Sequence, residues 1–168
     1  RMRVLVLYYS NTGNTRKVAQ ALADSLGAEL AEITCQTYLR WYGPVAMAWD
    51  VFTRHRPPVI VVAPQHAHYD LVLVGGPVWA ARAAPPVLSG IGHLPDAGAV
   101  ALFVTCRGDN PGSPPEPALA EMQAAAARPI AATEVFREAD LRGPALAGKV
   151  EAFAAAVRVA IPGLAAGR

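Results

Sequence analysis

Arg3-Val4-Leu5-Val6-Leu7-Tyr8-Tyr9 runs straight into Ser10-Asn11-Thr12-Gly13-Asn14-Thr15, and the reading of this stretch decides the fold. A near-continuous apolar run of strand length suits a strand buried on both faces, as in a parallel sheet. The polar hexapeptide that follows gives way to a helical pattern. Val18, Leu22 and Leu26 recur every fourth residue, with Ala21 and Ser25 beside them. Gly27 then supplies the left-handed residue that commonly closes a helix. Buried strand, polar turn and amphipathic helix in direct succession are the first half of a β-α-β unit.

Working outward, the same order recurs. Ala28–Ile33 reads as a short second strand. In Thr37–His55, Leu39, Val45, Trp49 and Phe52 have the spacing of a helix face, but Gly43-Pro44 interrupts it; the segment reads as two short helical pieces or one late-starting helix. Arg56–His68 carries Pro57, Pro58 and Pro64 around Val59–Val62, and is either a loop packed on the body or a short extra strand. Asp70 precedes the buried-strand run Leu71–Val74, which ends in Gly75-Gly76-Pro77. Pro85–Ile91 reads as a short helix, and Ala99–Thr105 as a strand ending in Cys106-Arg107-Gly108-Asp109-Asn110. Pro111–Pro117 is a proline-rich loop, Ala118–Ala127 a helix stopped near Pro129, and Ile130–Phe136 the last strand. Leu146, Val150, Phe153, Val157 and Ile161 mark one face of a closing helix that Pro162-Gly163 ends. About five repeats of strand and helix predict right-handed crossovers and an α/β fold of three layers, a five-stranded parallel sheet between helices. No repeat or second domain is visible, so residues 1–168 read as one domain, with Arg1, ahead of Met2, set aside as a cloning remnant.

Composition bounds the function. The 168 residues are 53% apolar and 17% charged, which describes a compact core rather than a disordered chain. Fifteen basic and thirteen acidic residues leave a net charge of +2, and no Lys/Arg run gives the footprint of a nucleic-acid binder. No stretch reaches the roughly 18–20 apolar residues of a membrane span. The apolar run after Arg1-Met2-Arg3 ends at Ser10 without a small-residue cleavage site, so it is not read as a signal peptide. Cys35 and Cys106 make no disulfide framework, and a cytoplasmic location is the expectation.

In a doubly wound sheet the ligand sits beyond the carboxyl ends of the strands, where the strand order reverses. With strand order 2-1-3-4-5, the loops after Tyr9, Val74 and Val104 are neighbours and form one crevice. The first loop offers hydroxyls and amides, a glycine at which a ligand can approach the backbone, and a helix N-terminus that favours an anion. It holds no lysine, against a triphosphate-binding P-loop, and it is not G-x-G-x-x-G, against a dinucleotide fingerprint. The alternative use of its Ser, Thr and Asn residues is plain helix capping.

On these residues the chain resembles the flavodoxin family. The family's phosphate loop, Ser/Thr-x-Thr-Gly-x-Thr after a first strand, is matched by Ser10, Thr12, Gly13 and Thr15. Tyr69–Val72 followed by Gly75-Gly76-Pro77-Val78-Trp79-Ala80 resembles the third strand and the isoalloxazine loop, and Val104–Gly108 the fourth strand and second ring-binding loop. The resemblance covers nearly the whole chain. It implies a flavodoxin-like fold and FMN as cofactor. It places Ser10, Asn11, Thr12, Gly13, Asn14 and Thr15 at the phosphate, and Pro77, Val78, Trp79, Ala80, Thr105, Cys106, Arg107 and Gly108 at the ring. Trp79 offers a stacking face, or packs on Pro85-Pro86. Arg82 reaches phosphate, ribityl or solvent. Arg107 departs from the Gly-Gly pair common in the family; it lies near the ring's N1/C2 edge, or faces solvent, or pairs with Asp109.

Other residues carry less. Cys106 reads as a small buried residue rather than a redox thiol. His66 and His68 share a side of an extended segment but lack a third metal ligand. Tyr38, Trp41, Tyr42 and Trp49 either pack the irregular second helix or roof the flavin. Two functions follow from the resemblance: an FMN-dependent oxidoreductase passing electrons from NAD(P)H to a quinone-like acceptor, or a one-electron carrier, with a module that has lost FMN as a third. The net positive charge favours the first, because carrier flavodoxins are typically acidic. No general acid or base stands out, so no catalytic residue is named. The expected partners are small-molecule or protein electron donors and acceptors; a homodimer is compatible with the sequence.

Overall fold

The computed structural model describes residues 2–64, 66 and 68–161; Arg1 and the Pro162-Gly163 stop lie outside them. Strand β1 (Val4–Tyr8) is buried throughout, and its alternation divides the core. Leu5, Leu7 and Tyr9 face one side of the sheet, Val4, Val6 and Tyr8 the other. Helix α1 (Asn14–Leu26) turns Val18 and Leu22 onto the second side and ends at Gly27, φ 62°. Strand β2 (Glu29–Thr34) pairs parallel with β1, Val6 beside Leu30. A 3-10 turn (Gln36–Leu39) leads to α2 (Gly43–Thr53). The short strand β3 (Ile60–Val61) then adds antiparallel to β2, the extra-strand alternative for Arg56–His68.

Strand β4 (Tyr69–Trp79) lies on the other side of β1, Val6 beside Leu73, so the sheet order reverses at β1. It turns into β5 (Arg82–Ala83) and α3 (Pro85–Ile91). Strand β6 (Ala97–Cys106), α4 (Glu116–Ala126), β7 (Ile130–Arg137), a 3-10 turn (Glu138–Leu141) and α5 (Pro144–Ala160) complete the chain. The order is β3-β2-β1-β4-β6-β7, with β5 paired to β4. Its parallel core β2-β1-β4-β6-β7 is the expected 2-1-3-4-5 arrangement. Helices α3 and α4 cover one face through Val87, Leu88, Ile91 and Met122; α1 and α5 cover the other, with Val150, Phe153 and Val157 around Phe136.

One local expectation changes. The third strand does not stop at Gly75-Gly76-Pro77. It continues in register to Trp79, with Gly76 beside Val104 and Pro77 beside Thr105. Here the glycines act by close approach: a Cβ on Gly75 would run into the Phe103 ring, and one on Gly76 into Val87. The interruption at Gly43-Pro44 is as expected: a 3-10 piece ends at Leu39 and α2 starts at Gly43, because proline in the first turn lacks only an N–H that would have no helical partner.

Candidate functional site

The first loop is shaped by its own polar groups. The Gly13 N–H donates to Ser10 Oγ at 3.0 Å, which leaves the serine proton free to donate outward. Gly13 sits at φ 97°, a conformation that a side chain would strain. No side chain caps α1, and its first turn holds no acid. The opening N–H groups therefore present an uncompensated positive end, suited to an anion. Asn11 and Thr12 are exposed at the mouth. Thr15 is only 2% exposed, and its hydroxyl meets that of Thr105 at 2.7 Å. That contact ties the first loop to the end of β6, and it engages the Thr15 hydroxyl away from the crevice lining.

The second loop is a two-residue hairpin turn. Ala80 and Ala81 both have positive φ, 49° and 64°, between the pairs Trp79–Arg82 and Val78–Ala83. A turn of this hand matches strand twist but normally takes Asn or Gly, so some backbone strain is held here. The Ala81 N–H donates to Ser113 Oγ at 2.8 Å, tying the turn to the loop after β6. Trp79 is half-buried. Its indole meets Tyr9 edge-on at 5.8 Å and tilts over Tyr38 at 6.2 Å. Its neighbours in this aromatic corner are therefore two tyrosines. Burial pushes the Tyr9 hydroxyl up to about 12, with the Cys35 thiol adding to the shift, and both tyrosines stay neutral near neutral pH.

Arg82 does not turn towards the crevice. Its guanidinium donates to the Val51 carbonyl of α2 at 2.8 Å and pairs with Glu121 of α4. Asp109 pairs with Arg137 at 2.7 Å rather than with Arg107. Arg107 is exposed, and among the described residues it makes no ion pair. Cys106 is half-buried, and burial raises its thiol above the ordinary value, with Arg137 opposing; that keeps it protonated and poorly nucleophilic.

Asn11, Thr12, Asn14, Pro77, Val78, Trp79, Thr105, Cys106 and Arg107 line one crevice of about 530 Å³, within the roughly 300–1,000 Å³ of small-molecule sites. Three strand ends separated by some 90 residues of chain thus meet at the point where the strand order reverses. Ser10 lines a smaller adjoining cleft, which shares Asn11 with the crevice, together with Arg16, Glu32 and Cys35. Gly13 shapes the loop from behind, Ala80 is exposed at the turn, and Gly108 borders open space.

The tenth lining residue, Glu138, was not foreseen. It opens the 3-10 turn after β7, and a polar run at that strand's carboxyl end was the available signal. His66 and His68 diverge, the first to Glu29 at 2.9 Å and the second to Asp96 at 2.6 Å. Of the aromatic group, Tyr38 alone is buried, its hydroxyl donating to Asp50 at 2.7 Å; Trp41, Tyr42 and Trp49 are exposed and do not line the crevice, Tyr42 and Trp49 lining a separate cleft beside α2.

The architecture has close structural counterparts. A flavoprotein from Lactobacillus acidophilus, solved in complex with FMN, superposes with a TM-score of 0.64 at 24% identity, over 84% of this chain and 97% of that one. Oxidised flavodoxin 2 from Bacillus cereus matches with a TM-score of 0.60 at 16% identity, over 94% and 98%. The chain has the flavodoxin fold. A WrbA-like flavodoxin from Agrobacterium tumefaciens shares that fold with a TM-score of 0.54 at 14% identity, over 95% of this chain and 98% of that one. No protein-family model and no curated protein matches the sequence. In this flavodoxin fold the first loop, the β4 hairpin and the end of β6 stand together at the carboxyl edge of the sheet.

Proposed function

We propose that the crevice holds FMN non-covalently, and that the protein is an FMN-dependent oxidoreductase passing electrons from NAD(P)H to a quinone-like acceptor. The observation that carries the cofactor is the pairing, in one crevice, of an uncapped helix N-terminus with a half-buried indole. An anionic phosphate suits the first and a flat aromatic ring the second. Ser10 to Thr15 would hold the phosphate, largely through backbone N–H groups and the Ser10 and Thr12 hydroxyls. Pro77 to Ala80 and Thr105 to Gly108 would flank the ring. The bound cofactor supplies the hydride and electron chemistry, and no protein acid or base is required for it. The FMN in the Lactobacillus acidophilus flavoprotein supports the same assignment.

The charge balance supports an oxidoreductase over a low-potential carrier. A carrier keeps its potential low by surrounding the reduced ring with acids. Here Arg82 and Asp109 are each neutralised by a partner. The crevice lining carries one cation, Arg107, and one acid, Glu138.

Titration of FMN fluorescence tests the site. The wild type quenches FMN, and Thr12→Ala weakens binding by about tenfold or more, the expected cost of a hydrogen bond to a charged group. Unchanged affinity would sink the phosphate assignment, and no binding by the wild type would leave a flavodoxin-like module without cofactor. The enzyme reading predicts steady NAD(P)H oxidation with a quinone and added FMN. Absence of turnover with either nucleotide, together with reduction in two resolved one-electron stages, assigns the carrier instead.

A further inference from the structure

Helix α2 is inside out. Gly43, Ala46, Met47 and Asp50 face the body, while Val45, Trp49 and Phe52 face solvent at helical spacing. Trp41, just before the helix, is 93% exposed, and Phe52 is 92% exposed. Across the edge strand, Ile60 and Val62 extend the same surface. Among the described residues, eight of the nine large exposed apolar side chains fall between residues 39 and 62, the ninth being Val159. Such clustering marks an interaction surface rather than scattered exposure.

Charge selects the occupant. Residues 36–63 hold three of the fifteen basic residues, Arg40, Arg54 and Arg56, and one of the thirteen acids, Asp50. The remaining chain holds twelve of each, so the whole net charge of +2 resides in this segment. All three arginines are exposed. Asp50 is 5% exposed, at the floor of a cleft beside Val45 and Trp49, and its carboxylate is already engaged by Tyr38 at 2.7 Å and His55 at 2.8 Å. A second copy of this chain would bring six arginines to one interface without an exposed acid to meet them. Trp41 and Phe52 stand clear of the body, and an occupant must yield around them, as acyl chains and headgroups do. Tryptophan and phenylalanine on one short helix, with a further tryptophan and three arginines just beyond its ends, are the composition of a segment that lies in a membrane interface.

We infer that the outward face of α2, with its flanking arginines, docks the protein peripherally on an anionic lipid bilayer. No described helix is long and apolar enough to cross a membrane, and none is needed for surface attachment. The face is joined to the crevice, because Arg82 of the β4–β5 hairpin holds the Val51 carbonyl of α2 and Trp79 rests on Tyr38. If the FMN reading holds, docking brings the flavin's crevice to the surface in which a lipid-soluble quinone resides.

Sedimentation with vesicles tests the docking by protein mass, independently of FMN. The protein should pellet with phosphatidylcholine vesicles containing about 30% phosphatidylglycerol at least tenfold more strongly than with phosphatidylcholine alone, with a blue shift of tryptophan emission. Replacing Arg40, Arg54 and Arg56 together by Gln should weaken this about a hundredfold, at about fivefold per arginine. Trp41→Ser with Phe52→Ser should abolish it while leaving the circular dichroism unchanged, since both side chains are exposed. Failure to pellet with the anionic vesicles at low salt overturns the proposal, as does pelleting that survives the Trp41→Ser/Phe52→Ser change. A dimer in solution that Trp41→Ser converts to monomer also overturns it, and assigns the face to a second copy.

Discussion

Gly75 and Ala81 show opposite faces of one constraint, how much side chain a position near the crevice tolerates. Gly75 lies in β4 beneath the Phe103 ring, and a methyl there has nowhere to go. Gly75→Ala should lower stability by roughly 1–3 kcal/mol, the usual cost of overpacking, read as a lower urea midpoint at unchanged slope. Ala81 already carries a methyl in a left-handed conformation that costs roughly 1–2 kcal/mol for a non-glycine residue. Ala81→Gly relieves that strain but loosens the unfolded chain, so it should be neutral or stabilising by up to about 1 kcal/mol, where the same change within a helix would cost about that much. Arg107 acts through charge. It lines the crevice without an ion-pair partner among the described residues, and a cation there favours the negative charge that a bound flavin gains on reduction. Arg107→Gly should therefore lower the two-electron potential of the FMN-loaded protein by about 20–30 mV, near 1 kcal/mol, in a redox titration. No change would place its charge away from the ring.

Among the elements, those with simple periodicity were legible in the sequence. Two-sided burial of Val4–Tyr8, the four-residue repeat of α1 and the bounds of α3 follow from apolar spacing and flanking Gly or Pro. Gly-Gly-Pro usually ends a strand; what keeps β4 extended is its pairing with β6, through residues distant in sequence, and with β5, while the glycines make room for Phe103 and Val87. Periodicity also identified a stripe on α2 without its direction. Val45, Trp49 and Phe52 share a face of α2, while Leu39 belongs to the turn before it, and only the packing of Ala46 and Met47 against the core turns that face outward. The pairing of Arg82 with Glu121 was likewise invisible, because it joins a hairpin to a helix 39 residues later. The carboxyl end of β7 offers an electrostatic test at the same scale. Asp140 accepts from Lys149 at 2.8 Å and from the Arg137 N–H at 2.8 Å, which hold its carboxyl below the ordinary carboxylate range. A depressed native value stabilises the fold above the unfolded pKa, and the contribution is lost as pH falls through the native one. Lys149→Met should therefore destabilise at pH 7, and its difference from wild type should shrink as pH falls below about 4. Parallel acid titrations of unfolding check this; a difference constant with pH would assign the loss to packing of Lys149 over the Phe136 ring.

At the scale of the whole molecule, the crevice belongs to no single element. Its walls come from β1–α1, the β4 hairpin and the end of β6, which the sheet joins at their base, and two side-chain hydrogen bonds tie them beyond it. The Thr15–Thr105 hydroxyl contact joins the first to the third, and the Ala81–Ser113 contact joins the second to the loop after the third. A ligand that touches all three walls adds cross-links present only in the folded state, so binding and folding must be linked. FMN at about a hundred times its dissociation constant should stabilise the protein by about 2.7 kcal/mol. For a chain of 168 residues, that corresponds to a rise in melting temperature of roughly 5–11 °C. Thr12→Ala should leave the ligand-free melting temperature nearly unchanged, since its side chain is exposed, and should reduce the FMN-dependent rise. Thr15→Ala should differ. It removes a buried hydrogen bond and leaves the Thr105 hydroxyl unpartnered, at about 1–3 kcal/mol, so the ligand-free protein itself should melt lower. Differential scanning of both variants with and without FMN separates the two roles. Equal ligand-free melting temperatures for the two would show that the Thr15–Thr105 contact does not hold the first and third walls together.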